Sequence, residues 1–92
     1  MDTLLSTQIE NRKRILSGIK DELVDRLQLE VQPADIDDDT FLFGSGLQLD
    51  SIDAMEIIIG IQARFGVDLP EGEIAALRTI NTLADLVAAQ RN

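Results

Sequence analysis

From Thr7 to about Leu29 apolar residues recur at helical spacing: Ile9, Leu16, Ile19, Leu23 and Leu27, with Ile15 and Val24 alongside. The pattern predicts one amphipathic helix over about residues 7–29, whose apolar stripe must be buried against other elements. Thr7 and Glu10 have capping-box spacing, and Glu10 with Arg14 and Glu22 with Arg26 stand four apart in the favourable acid-first order. A second helix is predicted over about 51–65, with Asp50 as N-cap, Asp53 as its capping-box partner and Gly66 at the left-handed C′ position. A short helix over about 71–77 follows the turn at Val67 to Pro70, and Thr82 is placed to cap a last helix over about 82–90. No strand-type alternation or internal repeat competes. The fold class is all-α, a four-helix bundle with a long first loop and a short third helix.

Ninety-two residues suffice for one domain, 1–92, with one modest core. Only 3% of residues are aromatic against 45% hydrophobic, so that core is aliphatic and deformable. Residues 30–50 contain Pro33, the acidic group Asp35 to Asp39, Gly44 and Gly46, and no regular element runs through them. Loops of this length are usually functional. Phe41, Leu42, Phe43, Leu47 and Leu49 are costly to leave in water, so the loop is expected to lie pinned over the core.

The chain has neither Cys nor His, which removes disulfides, zinc sites of the usual kind, thiol nucleophiles and the commonest general base. It is not expected to be an enzyme, and no catalytic residue is assigned. No apolar stretch approaches the roughly 20 residues of a membrane span and no leader pattern opens the chain, so a cytoplasmic protein is expected.

Net charge is −9 and is unevenly placed. Residues 1–29 carry five acids and five bases, whereas residues 30–73 carry eleven acids against Arg64 alone. Phosphate backbones select the opposite sign, so no nucleic-acid partner is expected. A basic protein surface would be steered in. Asp35, Asp37 and Asp39 alternate as at the start of an EF-hand loop, but Thr40 replaces the glycine of position six and Gly46 the glutamate of position twelve. No metal site is assigned.

On a wheel at 100° per residue, Ala54, Ile57, Ile58, Ile61 and Phe65 form one stripe of the second helix, and Ile52, Met55 and Ile59 another about half a turn away. One stripe suffices for the core. The other is either a partner surface or is covered by the loop or the third helix. Ser51, Asp53 and Glu56 edge it. Ser51 stands in the first helical turn, where free N–H groups and the dipole favour a phosphate. A serine there is often only a cap, but Asp50 already fills that role. No His exists to activate Ser51 as a nucleophile, so any chemistry at its hydroxyl must be activated by another protein.

The run Leu42-Phe43-Gly44-Ser45-Gly46-Leu47-Gln48-Leu49-Asp50-Ser51-Ile52-Asp53-Ala54-Met55-Glu56-Ile57 resembles the phosphopantetheine attachment site of acyl carrier proteins. Its core is Asp-Ser-Ile-Asp, and Phe65-Gly66-Val67-Asp68-Leu69-Pro70 looks like the helix end and turn that follow in that family. The likeness spans essentially residues 9–88. It implies a bundle of acyl-carrier type, whose Ser51, beside Asp50, receives 4′-phosphopantetheine from coenzyme A through a phosphopantetheinyl transferase and Mg²⁺. The imported thiol would hold acyl groups as thioesters and present them at high effective concentration. Ile52, Asp53, Met55, Glu56 and Ile59 would meet acyl-transferring and ketosynthase-type enzymes through basic docking surfaces, in contacts that are weak and salt-sensitive. The carrier would be a monomer serving fatty acid, lipid or polyketide biosynthesis.

Gln62, Ala63 and Arg64 stand where many fatty-acid carriers have an acidic run, and Gly60 costs about 1 kcal/mol relative to Ala inside a helix. The segment between Pro70 and Thr82 also looks longer than usual. These departures bear on the identity of the partners and suggest a specialised carrier. The rival readings are a peptidyl or aryl carrier of a nonribosomal assembly line, and a non-catalytic helical adaptor without the arm.

Overall fold

A computed structural model describes residues 3–43, 46–47, 49–69 and 78–91, with side chains from residue 7 to residue 90. Three helices lie among them: α1 over Thr3–Leu27, α2 over Ser51–Phe65 and α3 over Ile80–Arg91. The short helix expected over 71–77 lies outside the described residues.

α1 begins four residues before the expected Thr7 cap. The sequence ahead of Thr7 holds neither Pro nor Gly, and Leu4 and Leu5 are good helix formers, so nothing stops the helix there. Of the two expected acid-first pairs, Glu22–Arg26 forms, with Arg26 Nε donating to Glu22 Oε1 at 2.7 Å, and Glu10–Arg14 is not among the ion pairs of the described residues. α1 ends at Leu27, two residues short of the expected limit, because Gln28 takes the left-handed conformation (φ 52°) and the Leu29 amide donates back to the Val24 carbonyl at 3.1 Å. That is the Schellman closure, with a glutamine where glycine is usual.

α3 starts earlier than the sequence suggests. The Thr79 Oγ1 accepts from the Thr82 amide at 3.2 Å and the Thr82 Oγ1 accepts from the Thr79 amide at 2.9 Å. Thr79 is therefore the cap and Thr82 its reciprocal partner three residues on, a capping box built from two threonines.

Ile15, Ile19 and Leu23 of α1, Ile57, Ile58 and Ile61 of α2, and Ile80, Leu83, Ala84 and Val87 of α3 meet in one aliphatic core, which Ile36, Leu42 and Leu69 complete. No charged side chain is buried among the described residues. α1 packs on both other helices and on a short 3-10 turn at Pro33–Asp35. Being longer than either partner helix, it overshoots the core, which leaves Ile9 exposed although Ile9 belongs to its apolar stripe.

The loop between α1 and α2 is tied down, as its apolar content requires. Leu42 is buried, Phe43, Leu47 and Leu49 are half-buried against the core, and Phe41 stays half exposed. The backbone is stitched to the start of α3: the Leu42 amide donates to the Arg78 carbonyl at 2.8 Å, the Ile80 amide to Thr40 at 3.2 Å and the Asn81 amide to Asp38 at 2.9 Å. Phe41 and Thr79 form an isolated antiparallel bridge. A further closure, from the Leu47 amide to the Phe41 carbonyl at 2.8 Å, brings the chain so close that a Cβ on Gly46 would fall 2.0 Å from the Phe41 oxygen.

Candidate functional site

The loop ends by delivering the chain to the first turn of α2. Asp50 has extended dihedrals, its Oδ1 accepts from the Asp53 amide at 2.8 Å, and Asp53 Oδ2 in turn receives the Asp50 amide at 3.5 Å. At the other end Gly66 adopts φ 65° and donates its amide to the Gln62 carbonyl at 2.9 Å. Both ends of α2 are thus closed by the residues expected, since caps are written in spacings of three and four.

Capping by Asp50 and Asp53 frees Ser51. Its side chain is exposed, and no hydrogen bond engages its hydroxyl among the described residues. The hydroxyl sits at the positive end of the helix dipole, a position that suits an anionic ester. Alongside it the second apolar stripe is open to solvent: Ile52 is 74% exposed, Met55 44% and Ile59 53%. Among the described residues, neither the loop nor another element covers them. Glu56 is exposed beside this stripe, and Asp53 is partly so because of its capping bond.

Beneath the helix a narrow apolar slit of about 10 Å³ is lined by Leu42, Phe43, Leu49, Ala54, Ile57, Ile58 and Leu83. It is barely the size that admits one water, and no polar atom lines it to hold one. Two roomier hollows, of about 340 and 480 Å³, border α1 and include neither Ser51 nor its flanking residues. The expected absence of a metal centre rested on the loop sequence. Structurally, Asp38 pairs with Lys20, Asp39 accepts from Asn81 Nδ2 at 2.7 Å and Asp37 accepts from the Asp39 amide at 2.8 Å. Asp38 and Asp39 thus tie the loop to α1 and α3, and Asp37 braces the loop's own turn.

Residues 18–87 match the family model described as the phosphopantetheine attachment site. The chain is 31% identical over 77 residues to an acyl carrier protein of Thermosynechococcus vestitus, covering 84% of this chain and 91% of that one. The chain belongs to the acyl carrier protein family. Acyl carrier proteins of Myxococcus xanthus (29% identical over 80 residues, 84% of this chain and 94% of that one) and Tropheryma whipplei (24% over 81 residues, 88% and 95%) are similar along the same span. The group that defines an acyl carrier protein of this family is covalently attached 4′-phosphopantetheine. The residues present fit it: an unobstructed hydroxyl stands at a helix N-terminus, in a chain with no thiol of its own.

Two features of the carrier escaped the sequence reading. The walls of the slit come from three separate segments, and nothing in their spacing announces that they converge. Arg64, read from sequence as a gap in an acidic face, is turned away to α1: its Nε donates to Glu22 Oε2 at 2.8 Å and its Nη1 lies 4.0 Å from Asp21. Glu22 is only 12% exposed. Burial pushes its carboxyl up, but the hydrogen bonds and charges of Arg26 and Arg64 outweigh this and hold it below its ordinary value.

Proposed function

We propose that Ser51 is the attachment residue for 4′-phosphopantetheine, and that the chain shuttles acyl intermediates among enzymes of fatty acid, lipid or polyketide biosynthesis. The observation that carries this reading is the division of labour at the head of α2. Asp50 and Asp53 satisfy the cap, so the exposed Ser51 hydroxyl has no structural duty and is left for modification. When bound, the group supplies a thiol on a flexible arm, on which cargo is held in thioester linkage.

The chain's own residues then do the recognising. Ile52, Met55 and Ile59 present an exposed apolar strip beside Ser51, which a partner can cover. Asp50, Asp53 and Glu56 border it with negative charge that steers basic docking surfaces, the phosphopantetheinyl transferase first and acyl-transferring or ketosynthase-type enzymes after it. Contacts of this size are small and wet, and hence short-lived, as a shuttle requires. No helix among the described residues is long and apolar enough to cross a membrane, and the setting proposed is the cytoplasm.

Intact-mass measurement after incubation with coenzyme A, Mg²⁺ and a broad-specificity transferase tests the assignment. A single added phosphopantetheinyl group is expected on the wild-type chain and none on Ser51→Ala. Modification of the Ser51→Ala chain would move the site elsewhere, and a wild-type chain that stays bare would leave only a helical adaptor. Aminoacyl or aryl cargo on protein from its own cell would instead place the chain on a nonribosomal assembly line.

A further inference from the structure

Oxidisable groups are scarce in this chain. It has no Cys, Trp, Tyr or His, so two thioethers, Met1 and Met55, are the only side chains that a hydroperoxide oxidises readily. The buried core takes no part in this chemistry, being built of Ile, Leu, Val and Ala among the described residues. Met55 stands outside it, 44% exposed on α2. Among the described residues no hydrogen bond or ring contact engages its side chain.

Position gives that sulfur its importance. Met55 is four residues beyond Ser51, one turn along α2 on the same side, or about 6 Å along the helix axis. It follows Ile52 by three residues and precedes Ile59 by four, so it is the middle of the exposed strip, with Asp53 and Glu56 beside it. An enzyme that lays its own apolar surface on this strip to reach the Ser51 hydroxyl must cover the Met55 side chain. Ile52 and Ile59 are inert to peroxides. Met55 is therefore the one point on the strip where an oxidant can change its polarity.

We propose that Met55 is a redox modification site: its oxidation to the sulfoxide by a hydroperoxide weakens docking at the head of α2 and so uncouples Ser51 from its partner enzymes. The inference deepens the assignment of Ser51 and rests on it. A lone pair of the thioether sulfur attacks the terminal peroxide oxygen, and the O–O bond breaks. The proton on that oxygen passes to the departing one, which leaves as water or an alcohol, while sulfur gives up two electrons and gains one S–O bond. The sulfoxide is a hydrogen-bond acceptor at the centre of an apolar contact, and covering it without a donor costs on the order of tenfold in affinity. The fold is spared, because Met55 is not part of the buried core. Methionine sulfoxide reductases return the thioether, releasing the oxygen as water while two thiols close to a disulfide, so the change is reversible.

To test this, the unmodified chain is treated with hydrogen peroxide, freed of it, and loaded from coenzyme A with Mg²⁺ and a broad-specificity transferase. Peptide mass mapping is expected to show one added oxygen on Met55, with the melting temperature unchanged. The rate of Ser51 modification at sub-saturating carrier should fall on the order of tenfold, and the reductases should restore it. Met55→Leu keeps Met1 as its one thioether, and its own loading rate should be the same before and after peroxide. Met55→Gln, which fixes a polar side chain in the strip, should load slowly without any oxidant. The proposal is overturned if the oxidised chain loads as fast as the untreated one, if peroxide slows Met55→Leu to the same degree, or if Met55 stays unoxidised. A melting temperature that falls with the loading rate overturns it as well, since the loss would then run through the fold. An untreated chain that takes no group overturns the Ser51 assignment and the switch with it, whereas one that loads equally in both states sinks the switch alone.

Discussion

Glu22 is the carboxylate on which two guanidinium groups converge, and its titration is the residue-scale signature of the α1–α2 seam. Its folded pKa lies below the ordinary value of 4.5. A group depressed in this way adds stability that is fully present above its unfolded pKa and is lost as pH falls through the folded one. Glu22→Gln is therefore expected to lower stability by about 1 kcal/mol near neutrality, a modest figure because both arginines are partly solvated. The difference should close in thermal melts taken at successively lower pH, starting below about 4.5. A gap that persists unchanged to pH about 2 would show that the carboxylate's charge is not what matters. The seam also marks the limit of sequence reading at this scale. Glu22–Arg26 is legible because its partners are four apart on one helix, whereas Glu22 and Arg64 are separated by 42 positions and only the folded chain brings them together. Gly60 has the same history: its propensity cost is visible locally, and the close approach of Arg26 that requires it is not.

At the scale of elements, legibility follows the range of the interactions that end each one. Asp50, Asp53 and Gly66 close α2 through bonds spanning three or four residues, and spacing alone predicts them. Thr82 is part of the α3 cap as its residue type suggests, but the start moves to Thr79 because Thr79 also bridges to Phe41, a contact invisible along the chain. The Gln28 terminus of α1 breaks the usual preference for glycine and leaves no local mark. The loop is the element most dependent on a single small residue. Gly46 lies against the Phe41 backbone, which cannot retreat without losing the Leu47–Phe41 and Leu42–Arg78 hydrogen bonds. Gly46→Ala is therefore expected to cost on the order of 1–3 kcal/mol. In thermal denaturation this appears as a midpoint lowered by at least about 4 °C. A melt indistinguishable from wild type would mean that the loop is not held as closely as its contacts indicate.

Across the whole molecule the acids and bases are sorted by function. Among the described residues, four bases pair with acids: Arg12 with Asp85, Lys20 with Asp38, and Arg26 and Arg64 with Glu22. Arg64, the one base among residues 30–73, is thereby turned toward α1, and the head of α2 keeps Asp50, Asp53 and Glu56 uncompensated by any ion pair among the described residues. A field of this sign around Ser51 raises the encounter rate with a basic partner and does so less as salt screens it. The charge that tests this cleanly is Glu56, since Asp53 is also half of the cap and its reversal would disturb the helix it sits on. Glu56→Lys is expected to leave the melting temperature and helical content unchanged. The rate constant for transferase modification of Ser51 should drop at low ionic strength on the order of tenfold, with a flatter dependence on salt. Were the variant modified as fast as wild type with the same salt slope, the acidic border would be no more than a solubility device, and recognition would fall to Ile52, Met55 and Ile59 alone. Were it slowed equally at every ionic strength, the glutamate would be acting through a direct contact in the docked complex, and steering would have to be credited to the rest of the negative field.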